Sequence, residues 1–184
     1  MPTSGIMERM KSHNGIRPQD VAVLLKIVAK GEEPWRHIDL AQHLNLSQSE
    51  VSEALNRCQL SGLTSPDKKR VMHASLLEFL VYGLKYVFPV QPGPVCLGIP
   101  TAHSMSPLNK KIVSKKEEQY VWPAMDGKVK GHSIRPLYKK IPDAAKKDKK
   151  FHELLALVDA IRVGRAREQN LAIGELKKRI LGDQ

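Results

Sequence analysis

Residues 38–63, IDLAQHLNLSQSEVSEALNRCQLSGL, constrain the chain more than any other stretch. Leu40, Ala41 and Leu44 fall on one face of a helix. Val51, Ala54, Leu55 and Cys58 recur at i, i+3, i+4, i+7, the buried face of a second helix. The phase changes between them, at Asn45-Leu46-Ser47. Asn tolerates the left-handed conformation that ends a helix. Ser47 is a favoured N-cap, and Glu50 three residues on completes a capping box. Two short helices joined by three residues, with the small Ala41 at their crossing, predict a helix-turn-helix.

The flanks extend this unit. A helix is predicted from Arg17 or Pro18 to Gly31, with proline in the first turn and Val21, Leu24, Leu25 and Val28 inward. Trp35 is expected to pack against it. Beyond Leu63, the Pro66-Asp67 turn signal lies between short β-capable runs. A small hairpin is predicted there, with Lys68, Lys69 and Arg70 at its tip. Residues 75–87 then read as a helix that is apolar nearly all round, capped by Ser75 with Glu78. Leu76, Leu77, Phe79, Leu80 and Leu84 are its packing residues. Such a helix needs cover on every side, from a second copy of the chain or from the C-terminal half.

Prolines 89, 92, 94, 100, 107, 123, 136 and 142 break any long helix across residues 88–142. The segment reads as an extended arm wrapped over the core or a partner. A small hairpin about the Met125-Asp126-Gly127 turn would use Tyr120, Val121, Trp122, Ile134, Leu137 and Tyr138. Regular structure returns after residue 142. Asp148 caps a helix through Phe151, Leu154, Leu155, Val158 and Ile161 to Gly164. A second helix, from about Arg165 to Leu181, turns Leu176 and Ile180 inward. The expected organisation is a polar tail at 1–16, a winged unit with its apolar helix at 17–87, the arm at 88–142 and a basic helical hairpin at 143–184. The fold class is mainly α, of the α+β kind.

The formal net charge is +11 over 184 residues, which suggests a polyanionic partner. Residues 1–86 carry 11 Lys/Arg against 9 Asp/Glu, a net of +2, whereas residues 87–184 carry 19 against 10, a net of +9. Most of the excess therefore lies outside the helix-turn-helix half. Two cysteines form no disulfide framework, and Cys58 sits on an apolar stripe. No apolar run reaches the ~18 residues of a membrane span, and the N-terminal residues lack the apolar stretch of a secretory signal. A cytoplasmic protein without membrane contact is expected.

Catalytic signatures are scarce. The seven histidines show no metal-ligand spacing, so no metal and no cofactor is expected. Nucleotide-binding and nucleophile-elbow fingerprints are absent. Residues 98–104, GIPTAHS, bring Thr101, His103 and Ser104 together, but nothing nearby orients the histidine; a loop with local hydrogen bonds is the simpler reading. The chain is read as a non-enzyme. Binding is better supported. Ser47, Gln48, Ser49, Ser52, Glu53, Asn56 and Arg57 are candidates for the outward face of the second helix, able to reach bases and phosphates in a major groove. Lys68, Lys69 and Arg70 are placed for phosphates. Tyr120, Trp122 and Tyr138, interleaved with lysines, leave an RNA target open.

Over residues 17–73 the chain resembles the winged helix-turn-helix family, most closely MarR-type bacterial regulators. The resemblance rests on Leu40-Ala41, Leu44, Leu46-Ser47, Ser49, Val51-Ser52, Ala54-Leu55, Gly62-Leu63 and the basic hairpin. It implies a dimeric regulator of transcription with two recognition helices in successive major grooves of double-stranded DNA. It ends after residue 87, where the long flanking helices of that family give way to the arm and the terminal hairpin. The expected function is that of a sequence-specific DNA-binding regulator, a repressor acting as a homodimer. The alternative is an adaptor or antitoxin-like protein that binds an operon-encoded partner through the same surfaces.

Overall fold

Packing onto one buried helix organises the computed structural model, which describes residues 15–113 and 118–182. The expected tail at 1–16 lies outside the described residues up to residue 14. Helices α1 (Pro18–Lys30), α2 (His37–Leu44) and α3 (Gln48–Leu60) are followed by α4 (His73–Glu78), a π turn (Phe79–Gly83) and α5 (Leu84–Val87). Strand β1 (Val95–Pro100), two 3-10 turns (Ala102–Ser104 and Leu108–Lys110), β2 (Tyr120–Pro123) and β3 (Val129–Ser133) come next. Helices α6 (Ile141–Ala145), α7 (Lys149–Val163) and α8 (Ala166–Leu181) close the chain. The fold is mainly helical with a small three-stranded sheet.

The organising helix is α7. The sequence predicts an amphipathic helix there, but Leu154, Leu155, Ala156, Leu157 and Val158 are apolar at five successive positions and all are buried. Five successive positions sweep more than a full turn, so no face is left for water. Helices α1, α5, α6 and α8, with the turn at Ala102–Ser104, surround it. Its first turn is capped by Asp148, whose carboxylate accepts the Phe151 N–H at 3.0 Å and pairs with Lys26 of α1 at 2.6 Å.

The segment at 75–87 departs from expectation in three ways. Its helix begins at His73, with Ser75 inside the first turn and no side-chain cap. A π turn interrupts it at Phe79–Gly83. It is not buried all round: Leu76, Leu77, Leu80 and Leu84 enter the core, Phe79 is half-buried, and Tyr82 and Tyr86 stay 72% and 73% exposed. The extra residue of a π turn rotates the succeeding helical residues about the axis, so one apolar stripe faces α7 and α8 while the tyrosines face solvent. The cover comes from the chain's own C-terminal half, and those four leucines are not free to meet a second copy.

The arm also differs. Its strands do not pair as a hairpin about residues 125–127. Both β2 and β3 pair antiparallel with β1, a strand the prolines and Gly98 had concealed. They run parallel to each other, with Tyr120 opposite His132 and Val121 opposite Ser133. The second strand is Val129–Ser133, and not the run from Ile134 to Tyr138. Three mutually paired strands close into a ring. Gly98 sits where β1 passes from one partner to the other, and a Cβ there would lie 2.1 Å from the Trp122 carbonyl oxygen. Trp122, Ile134, Leu137 and Ile141 join the same core as α1 and α7, so the arm wraps its own chain.

His152 of α7 fixes this ring to the helix. Its Nε2 lies 2.8 Å from the Pro100 carbonyl oxygen, and its ring stacks on Trp122 at 5.1 Å. Burial pushes its pKa below the usual 6.5. The unfolded chain therefore binds the proton more readily, and stability present above pH about 6.5 is lost as pH falls toward the depressed folded value. His43, lowered first by burial and then by Lys26 and Lys30, acts in the same sense. Burial alone would raise the Asp148 carboxyl, but the Lys26 ammonium and the Phe151 N–H outweigh it and hold it below its usual 3.8. Its share of stability is present above that value and lost below it. Urea titrations are thus expected to show a plateau above pH 7, a decline beginning near pH 6.5 and a second decline below about pH 4. His152→Gln should flatten the first decline; an unchanged profile in that variant would refute the assignment.

Candidate nucleic-acid interface

The turn between α2 and α3 is built by three residues. Asn45 ends α2 in the left-handed region, at φ 53° and ψ 40°. Ser47 accepts the Glu50 N–H at 3.1 Å, and Glu50 accepts the Ser47 N–H at 2.8 Å. That backbone N–H, with the Ser47 hydroxyl, holds the Glu50 carboxyl below the usual carboxylate range. Glu50 is therefore occupied as a cap and is not free to read a base.

Val51, Ala54, Leu55 and Cys58 fasten the inner face of α3 to the core. Burial raises the Cys58 thiol to about 12, which leaves it an inert packing residue. On the outer face Gln48, Ser49, Glu53 and Asn56 are exposed and Ser52 is half-exposed. Arg57 does not belong to this face, and its assignment as a DNA contact is corrected. It is buried, and its guanidinium makes two 2.7 Å bonds to the carboxylate of Asp20 in α1. Position 57 follows Ala54 by three residues and so turns toward the core. The sequence shows the charge but not the carboxylate that waits 37 residues earlier.

The hairpin after α3 is short. Thr64 pairs with Val71, and the Ser65 N–H bonds the Arg70 carbonyl at 2.8 Å. Asp67 braces the tip by accepting from the Ser65 hydroxyl and from the Lys69 N–H, which hold its carboxyl below the usual range. Lys68 adopts φ 60° at the tip, and its ammonium bonds the Asn56 side-chain oxygen of α3 at 2.6 Å. Lys69 and Arg70 are exposed. The hairpin charges and the outer face of α3 thus form one continuous surface.

A second group joins this surface from the far end of the chain. Tyr138 donates from its hydroxyl to the Leu44 carbonyl at 2.7 Å, and Lys140 donates to the Asn45 carbonyl at 2.6 Å. Both bonds span more than ninety residues, and no local pattern in the sequence points to them. The three aromatics that suggested RNA stacking are committed elsewhere. Trp122 is fully buried, Tyr138 is held at the turn, and Tyr120 packs edge-on against His103 at 4.7 Å.

The Thr101–Ser104 cluster is used in folding. Thr101 donates to Asp159 at 2.8 Å, Ser104 accepts the Tyr120 N–H at 2.8 Å, and His103 Nε2 lies 2.8 Å from the Glu118 carbonyl oxygen. Among the described residues, no group of three or more His, Cys, Asp or Glu is disposed to hold a metal ion, and no helix is long and apolar enough to cross a membrane. No protein-family model, no curated protein and no solved structure matches the chain.

Proposed function

We propose that this chain is a sequence-specific double-stranded DNA-binding regulator of the winged helix-turn-helix kind, with α3 as the recognition helix and the hairpin at 64–71 as the wing. One observation carries the reading: the polar outer face of α3 is exposed and joined through Asn56 and Lys68 to a cationic hairpin. Gln48 is suited to a bidentate bond with adenine, and Ser49 and Ser52 to base edges or phosphates. Lys68, Lys69 and Arg70 supply charge that positions the protein without reading sequence. Glu53 would accept from a cytosine amino group.

Fluorescence anisotropy on duplexes recovered by selection tests this. About six phosphate contacts give a slope of log K against log salt near −5. Lys68→Ala with Lys69→Ala should weaken all duplexes alike and relax the slope by about 2, whereas Gln48→Ala should shrink the difference between selected and random duplexes. No affinity for any duplex at low salt refutes the proposal.

The exposed Tyr82, Tyr86 and Val87 favour a second reading, in which a protein partner covers this stripe. A homodimer that reads two half-sites could not use Leu76, Leu77, Leu80 and Leu84, which are already consumed, and would need exposed residues such as these. A stoichiometric unlike partner on purification from the native host would favour the adaptor.

A further inference from the structure

We infer that Lys139, Lys140 and Lys147 form a second phosphate clamp, which grips the DNA backbone at the N-terminal end of α3 while the hairpin grips it at the other. The inference rests on the duplex-binding reading above and deepens it. It assigns a role to charge that the helix-turn-helix half lacks.

Position comes first. The segment holding these lysines is docked against the α2–α3 turn by the Tyr138 and Lys140 bonds to the Leu44 and Asn45 carbonyls. Ile141, Pro142, Ala144 and Ala145 of α6 are buried, so the lysines project from an anchored element and not from a loose loop. Asn45, Lys140, Asp143, Lys146 and Lys147 line a shallow hollow beside the turn. Lys140 also lies close enough to Glu50, in the first turn of α3, to lower its carboxyl.

Charge availability comes second. Lys146 is neutralised by Asp126 at 2.6 Å and Asp143 at 3.5 Å. Lys139 and Lys147 are exposed and have no carboxylate partner among the described residues. Among the described residues Lys140 donates to the Asn45 carbonyl and has no ion pair, with the Glu50 carboxylate near it. Lys140 and Lys147 therefore remain in the hollow to meet an anion, with Asp143 the one acidic residue of its lining, and Lys139, next to Lys140 in the chain, lines a second hollow with Arg135 and Tyr138. Surface lysines left without carboxylates suit phosphates, whose contacts add affinity through released counterions.

Spacing comes third. Lys68 reaches α3 at Asn56, and Lys140 reaches the turn at Asn45, just ahead of the Ser47 cap. Nine residues of helix from Ser47 to Asn56 span roughly 14 Å. Cationic groups thus stand at both ends of the exposed stretch of α3.

Salt-dependent anisotropy on the full chain and the selected duplex tests the clamp. The triple variant Lys139→Gln/Lys140→Gln/Lys147→Gln should relax the slope by about 2.7, near 0.9 for each lysine. The pair Lys139→Gln/Lys147→Gln leaves the Lys140–Asn45 bond in place and should relax it by about 1.8. Thermal melting of the pair variant should match that of the wild type. Methylphosphonate substitution at the phosphates flanking the α3 N-terminal half-turn should weaken the wild type and leave the triple variant unaffected. A wild-type slope retained by both variants overturns the clamp while leaving α3 and the wing as the DNA-reading surface. A wild type that binds no duplex overturns the reading beneath it. A slope relaxed on single-stranded RNA but not on duplex assigns the lysines to another ligand and overturns the clamp as well.

Discussion

Asp159→Ala is expected to be the most destabilising single substitution in the core. Asp159 is 1% exposed and lies on α7. Its carboxylate accepts from the Thr101 hydroxyl at 2.8 Å, from the Trp122 indole N–H at 2.7 Å and from the Arg162 guanidinium at 2.7 Å. One side chain thus joins β1's exit, β2 and the central helix. Removing it leaves a buried guanidinium without its counter-charge, which costs about 3–5 kcal/mol. Two buried donors also lose their acceptor, each at about 1–3 kcal/mol, although such costs are not additive. A domain of ordinary stability holds only about 5–15 kcal/mol, so the variant should be largely unfolded at 37 °C. Arg162 keeps bonds to the Phe88 and Arg135 carbonyls, and Asp159→Asn keeps an acceptor for the indole, so that variant should fall between. Tryptophan fluorescence, from Trp35 and Trp122 together, follows the loss during urea titration. A midpoint for Asp159→Ala close to that of the wild type would show that the hub is dispensable.

This hub also marks where the sequence stops being legible. The helices at 18–30, 37–44 and 48–60 follow from local rules, because a cap, a periodic stripe and a left-handed Asn each act within a few residues. Asp148 is a cap of the same local kind. The ring of three strands is different. Gly98 looks like a strand breaker, yet it is needed where β1 changes partners, and that need is set by Val121 and Trp122 far along the chain. Helix α7 shows a clean stripe, and the residues between its stripe positions are also apolar. Whether they are covered depends on where the arm and α1 dock, which no periodicity records.

The same limit divides the candidate interface. Gln48, Ser49 and Asn56 can be placed on the outer face by counting from Val51 and Leu55. Counting from Ala54 and Cys58 turns Arg57 inward, but its positive charge argues for the surface until Asp20 is seen. Lys139, Lys140 and Lys147 look like part of a diffuse basic run. Their position beside the α3 N-terminus depends on a hydroxyl and an ammonium bonding two carbonyls more than ninety residues earlier.

Arg57→Ala separates the frame of the interface from its contacts. The pair with Asp20 joins α1 to α3, with Arg57 7% exposed and Asp20 fully buried. Truncating the arginine strands a buried carboxylate, at a cost of about 3–5 kcal/mol. For a chain of this length that corresponds to a fall in melting temperature of about 6–20 °C. Asp20 also accepts the Arg17 N–H at 2.9 Å as part of the α1 cap, so Asp20→Asn should keep the cap while removing the charge. The double variant Asp20→Asn/Arg57→Met, with no buried charge left, should recover most of the loss, since a buried pair gains little over apolar residues that fill the same space. Below its melting temperature, Arg57→Ala should bind duplex with an unchanged salt slope, because the guanidinium touches Asp20 and not a phosphate. A slope relaxed by about 0.9 with stability intact would return Arg57 to the DNA-contacting face. The expected pattern, stability lost and slope kept, would instead identify α3 as a helix whose reading face is polar and nearly uncharged, held in place by a buried ion pair and dependent on flanking lysines for its grip.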